Sequence, residues 1–161
     1  MAGDAENRRY AVAEANDGRI LATVEIAASP ERVFRALASS EVTAWWVRPG
    51  VFDTSEWAGD VRPGGRWRAS GVARGRAYSL EGEFLRVDSP RTLVHTWHGV
   101  GVPGAPTTVT YSLQEHGAGT HLTLTHAGFG SAEACENTRA GWETSLQRLA
   151  ELLVRAPGSG D

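Results

Sequence analysis

Between Gly65 and Thr125 apolar and polar residues alternate in five short runs, and from about Ala132 to Arg155 the period changes to that of a helix. The runs are Gly65–Ser70, Tyr78–Val87, Thr92–His98, Thr107–Gln114 and Thr120–Thr125. The separators, Gly71–Arg76, Asp88-Ser89-Pro90, Gly99–Pro106 and Glu115–Gly119, are rich in turn residues and too short for a crossover helix, so successive strands pair antiparallel. In the helical stretch Cys135, Trp142, Leu146, Leu149 and Leu153 form one apolar stripe, while Glu143, Gln147, Arg148 and Glu151 lie on the opposite, solvated face. Such a stripe must be covered, and the meander supplies the apolar face. The order predicts an α+β domain in which one long helix lies on one face of a sheet.

The upstream third fits that plan. Ile20, Ala22, Val24 and Ile26 alternate along a strand from Arg19 to Ala27, and Asn16-Asp17-Gly18 is turn chemistry that makes Tyr10–Ala15 the other arm of a hairpin. Ser29-Pro30-Glu31 reads as N-cap, N1 proline and a first-turn acid of a short helix ending near Ser39, with Val33, Phe34 and Leu37 on its inner side. Ser40 caps a second short helix, with Val42, Trp45 and Trp46 on one face, stopped by Pro49-Gly50. A further strand is expected near Trp57–Val61. The count gives a strongly curved antiparallel sheet of six or seven strands. The expected organisation is an N-terminal extension over 1–18, frayed over Met1–Arg9 or a short strand, one domain over 19–155, and a disordered tail over 156–161.

Composition narrows the chemistry. All 16 basic residues are arginine, so Schiff-base, pyridoxal and P-loop lysine chemistry is excluded. A single cysteine, Cys135, rules out an internal disulfide framework and a cysteine-rich zinc site. The net charge of -3 implies no nucleic-acid partner, and neither a signal h-region nor a membrane-length apolar run occurs, so a cytoplasmic protein without membrane association is expected.

Gly99-Val100-Gly101-Val102-Pro103-Gly104 matches the dinucleotide-binding glycine pattern and follows a strand, but Pro106 and the β-rich Thr107–Leu113 come next instead of a helix. It reads as a hairpin loop, and no cofactor is expected. His95 and His98 are three apart, and His121 and His126 five apart; on strands, odd separations put the members of each pair on opposite faces, which argues against a metal site. His95 shares a face with Leu93 and Trp97, and His126 with Leu122 and Leu124, the faces expected inward. Each is either a core histidine satisfied by a hydroxyl or backbone group, or a pocket residue that orients a ligand or moves a proton. Arg66 and Arg68, flanking Trp67, read as the solvated face of an edge strand, and Cys135 as a buried small hydrophobe. Asp53, Glu56 and Asp60 read as surface carboxylates.

Seven segments stand in a characteristic order: Ser29-Pro30-Glu31-Arg32-Val33-Phe34-Arg35-Ala36-Leu37, Trp45-Trp46, Arg62-Pro63-Gly64-Gly65-Arg66-Trp67, Gly82–Asp88, Arg91–Trp97, Thr120–His126 and Gly141-Trp142 with the leucine stripe. Together they resemble the single-domain bacterial proteins named after the activator of heat-shock-protein-90 ATPase, members of the START-like or SRPBCC superfamily with the helix-grip fold. The resemblance runs from about Arg19 to Leu153. It implies a cavity between the curved sheet and the C-terminal helix for an apolar or aromatic small molecule, lipid- or polyketide-like. The expected ligand-binding residues are Trp45, Trp46, Trp67, His95, Trp97, His126, Phe129 and Trp142, with one of the adjacent pair Trp45 and Trp46 packing inward and the other at the cavity mouth. Two other readings stay open. One is an aromatase/cyclase or hydrolase with His95 or His126 as general base; the other is a co-chaperone-like regulator of a heat-shock-90 ATPase. The last ranks lower because the resemblance to the eukaryotic activator is confined to its C-terminal domain, and 161 residues leave no room for its N-terminal one. Homodimerisation is left open.

Overall fold

A computed structural model describes residues 11–154, so the whole of the expected frayed start, Met1–Arg9, and of the expected tail, 156–161, lies outside the described residues. Nine strands form one antiparallel sheet: β1 (Val12–Asn16), β2 (Arg19–Ile26), β3 (Val47–Arg48), β4 (Phe52–Gly59), β5 (Arg66–Ala73), β6 (Arg76–Asp88), β7 (Thr92–Gly99), β8 (Thr107–His116) and β9 (Gly119–Ala127). Their order is β1-β2-β9-β8-β7-β6-β5-β4-β3. Two short helices, α1 (Pro30–Leu37) and α2 (Val42–Trp45), follow β2, and α3 (Ala132–Val154) closes the chain. The glycine-rich segment after β7 is the β7–β8 loop. Among the described residues no helix is long and apolar enough to cross a membrane.

The sheet is wider than the six or seven strands expected. The extra width comes from β1, the hairpin arm that the count left out, and from the two-residue β3; the further strand expected near Trp57–Val61 is β4, which begins at Phe52. A bulge between Thr54 and Glu56 hides β4 in the sequence: it breaks the alternation, so buried Thr54 and half-buried Trp57 stand three apart instead of two. A second bulge interrupts β6 between Phe84 and Arg86. Arg66 and Arg68 are exposed as expected, but β5 is an interior strand, bonded to β4 and β6.

α1 starts as its sequence dictates, with the Ser29 side chain accepting from the Arg32 N–H at 3.2 Å. α2 departs from expectation. Glu41, already helical in backbone, precedes it, and Ser40 offers its carbonyl to the Thr43 hydroxyl instead of capping with its side chain. The helix ends at Trp45 because the chain extends at once into β3. Ser131 caps α3 through its hydroxyl, which accepts from the Ala134 N–H at 3.1 Å.

α3 packs on β1 and β2 at one side of the curled sheet and on β3 at the other. Its inner stripe, Cys135, Trp142, Leu146, Leu149 and Leu153, is buried. The face expected to be merely solvated also holds the sheet edge. Gln147 Oε1 accepts from the Ala11 N–H at 2.8 Å, Glu143 Oε2 from Ala13 N–H at 3.3 Å, and Arg139 donates to the Ala13 carbonyl at 3.2 Å. These bonds occupy backbone groups on the open edge of β1, which would otherwise be free to pair with another strand.

Candidate functional site

A cavity of about 380 Å³ lies between the first half of α3 and the β3–β7 part of the sheet. The inward positions of β5 make room for it. Trp67, Ala69, Gly71 and Ala73 alternate inward and become small toward the β5–β6 hairpin, so the interior empties where the helix would need a large side chain to meet. Gly71 sits between Thr54 and Tyr78 in register, and with no side chain there the Thr54 hydroxyl bonds the Tyr78 hydroxyl across it. Gly82 makes room for a ring instead. A Cβ there would lie 2.3 Å from Trp67 Nε1, and the bare position lets the Trp67 indole cross β6 to donate to the Thr96 carbonyl at 3.1 Å.

All eight residues expected at the site fall into one continuous cluster of rings. Trp46 lies 4.9 Å from Trp97 between ring centroids, Trp97 5.4 Å from Trp142, and Trp46 5.7 Å from Trp67. Trp67 reaches His95 at 5.1 Å, Trp97 reaches His126 at 5.3 Å, and His126 reaches Phe129 at 4.6 Å. Trp45 stands against Trp46 at 6.0 Å. Of the eight, Trp46, Trp97 and Trp142 form the cavity wall. Trp45, Trp67, His95, His126 and Phe129 lie outside the lining and support it. Trp45 faces inward because its indole N–H donates to the Ala36 carbonyl at 2.8 Å, pinning α2 to α1, and that leaves Trp46 for the cavity.

Both inner histidines are neutral, with both ring nitrogens of His126 and Nδ1 of His95 hydrogen-bonded. Trp142 Nε1–H donates to His126 Nδ1 at 3.0 Å, so the His126 proton sits on Nε2 and is donated to Thr107 Oγ1 at 2.7 Å. Thr107 in turn donates to the Trp97 carbonyl at 3.0 Å. Burial, with repulsion from His95, lowers the His126 pKa to about 3. His95 donates from Nδ1 to the Thr96 carbonyl at 2.9 Å, and burial lowers its pKa to about 4 against the pull of that bond. A general base works best with a pKa near the operating pH and a free nitrogen facing the substrate. Neither ring has that equipment. The thiol of Cys135 is buried and its pKa is raised by that burial and by Glu136, which is the behaviour of a packed hydrophobe. Among the described residues no group of three or more metal-ligating side chains is arranged to hold an ion.

Several lining residues were not among the expected eight: Arg48 from β3, Phe52 from β4, Arg74 from the β5–β6 turn, Tyr78 and Leu80 from β6, and Asn137 from α3. The readable signal for the hollow itself, though not for each of these residues, was the run of small residues along β5. A second depression, of about 680 Å³, involves Ser55, Glu56, Trp57, Arg68, Ser70 and Ser79, most of them exposed, and Trp57 is its one aromatic side chain.

Curled antiparallel sheet and closing C-terminal helix together define a START-like domain of the helix-grip kind. The chain belongs to the family described as Activator of Hsp90 ATPase homolog 1-like proteins, whose sequence pattern matches residues 27–154. Among solved structures, protein CV1439 of Chromobacterium violaceum is 27% identical, with a TM-score of 0.76 over 86% of this chain and 98% of its own. CalU16 of Micromonospora echinospora is 25% identical, with a TM-score of 0.61 over 90% of this chain and 84% of its own. DynU16, a protein of the dynemicin biosynthetic locus, shares the fold at 23% identity and a TM-score of 0.67, covering 86% of this chain and 48% of its own. No curated protein matches the chain significantly.

Proposed function

We propose that the protein binds an apolar or aromatic small molecule, lipid- or polyketide-like, in the cavity between α3 and the sheet. The observation that carries this reading is the wall of Trp46, Trp97 and Trp142 around about 380 Å³ of space, a size within the range of small-molecule pockets. The three rings are held by packing against one another and by the Trp142–His126–Thr107 chain of hydrogen bonds, so little side-chain ordering is left to oppose binding. That DynU16, of the same fold, comes from a biosynthetic locus is in keeping with a small-molecule partner.

The test is titration of intrinsic tryptophan fluorescence with fatty acids, flavonoids and polyketide-like aromatics. At least one class should quench saturably, and Trp97→Ala should weaken that binding by about tenfold or more, the equivalent of roughly 1.4 kcal/mol. Wild-type protein that shows no saturable quenching with any class would refute the reading.

A further inference from the structure

The cavity has aromatic walls but an unbalanced charge. Its lining includes Arg48 and Arg74 and no aspartate or glutamate, although the chain as a whole carries a net charge of -3. Among the described residues ion pairs are made by Arg32, Arg35, Arg62, Arg86 and Arg139, and none by Arg48 or Arg74. Arg48 is half-buried and Arg74 exposed, so the positive side of the cavity is its solvent side.

Arg74 occupies a position that arginine rarely takes. Its φ is 52° and that of Gly75 is 80°, the two left-handed residues of a tight hairpin turn where asparagine, aspartate or glycine is normally found. A non-glycine residue held there carries local strain, and such strain concentrates where function needs the side chain. The turn is also anchored: the Arg74 N–H donates to the Val51 carbonyl at 2.8 Å, and the Val51 N–H donates to the Arg48 carbonyl at 2.9 Å. The two arginine-bearing turns are thus one hydrogen-bonded unit on the rim of one cavity.

We propose that the ligand is an amphipathic anion whose oxyanion group is held by Arg48 and Arg74 while its apolar or aromatic body lies against Trp46, Trp97 and Trp142. This rests on the binding function proposed above and adds the class of ligand. Guanidinium forks suit oxyanions, and their place on the solvent side lets the charged end of a ligand stay near water while its apolar end meets the tryptophans.

The experiment compares two probes with the same rings, anilinonaphthalene sulfonate and its uncharged parent phenylnaphthylamine, by energy transfer from the cavity tryptophans. Wild-type protein should bind the sulfonate at least about tenfold more tightly, and the preference should collapse in Arg48→Gln/Arg74→Asn while affinity for the neutral probe stays within about threefold. Asparagine suits the left-handed turn, so this variant should melt no lower than Arg48→Gln alone, which guards against misfolding as the cause. Equal affinity for both probes in wild type, or a sulfonate preference that survives the double substitution, overturns the anion proposal and leaves small-molecule binding standing. Saturable binding of neither probe overturns both.

Discussion

Lowering the pH from about 7 to about 5 should cost the protein roughly 4 kcal/mol of folding stability, mainly through His95 and His126. Both imidazoles ordinarily titrate near 6.5, and burial lowers them to about 4 and about 3. The unfolded chain therefore takes up two protons below pH 6.5 that the folded chain refuses until its own, lower pKa values are reached. A depressed folded-state pKa makes stability fully present above the unfolded value and lost as pH falls toward the folded one. With two protons separating the states, the limiting slope is about 2.7 kcal/mol per pH unit, and integration from about 7 to about 5 gives roughly 2 kcal/mol per histidine. Urea unfolding followed by circular dichroism at a series of pH values measures this directly. With a typical slope of about 2 kcal/mol per molar urea, the midpoint should drop by roughly 2 M over that interval. Glu25, whose own desolvation is outweighed by hydrogen bonds from His121 and His116, has its pKa lowered, away from this window. In His95→Asn the slope should halve, whatever the variant's absolute stability. A stability that is flat between pH 7 and 5, or a slope unchanged in His95→Asn, would refute the assignment of these rings as buried and neutral.

Gly141 lies inside α3, and a Cβ there would stand 3.3 Å from the Phe52 ring. Gly141→Ala gains about 1 kcal/mol of helix propensity, and half-buried Phe52 can yield the few tenths of an ångström required, so the melting temperature should rise by about 2–4 °C; a fall would mean that Phe52 is fixed. Cys135, buried with a raised thiol pKa, should react with an aromatic disulfide reagent at least about a hundredfold more slowly in the native protein than in denaturant, since reaction must wait for opening. Fast stoichiometric reaction of the native protein would contradict that placement.

The parts of the fold that were legible are those in which the pattern of burial is also the pattern of sequence. The β2 strand alternates Ile20, Ala22, Val24 and Ile26 because one face is covered, and α3 carries a stripe because one side is. β3 has two residues and no period, and the bulge in β4 erases the period it would have had. Site legibility followed the same division. Large rings announce themselves, so the clustering of Trp46, Trp97 and Trp142 with their neighbours was legible, while their part in binding is the proposal made above. A cavity, however, is where side chains are absent, and its signature was the shrinking series Trp67, Ala69, Gly71, Ala73, which is readable only once β5 is known to face the helix. Arg48 and Arg74 had no sequence signal, because their place on one rim depends on two turns that meet only through the Val51 backbone.

The division of labour among these residues also bears on catalysis. The two histidines that an enzymatic reading requires stand behind the tryptophan wall, and in His126 both nitrogens are engaged, so moving its proton would break the bond that orients Trp142 or the one that holds Thr107. A buried donor or acceptor left unpaired costs about 1–3 kcal/mol, which opposes each such transfer. The groups that do face the cavity are of another kind. Tyr78 has its pKa raised by burial and bonds Thr54, which makes it a neutral hydrogen-bonding group, and Arg48 and Arg74 are permanent cations. Such a set can fix orientation and charge but supplies no base near neutral pH. The histidines instead hydrogen-bond and pack behind the ring cluster, and a wall held in place beside a charged rim is the arrangement that the proposed binding of an amphipathic anion requires.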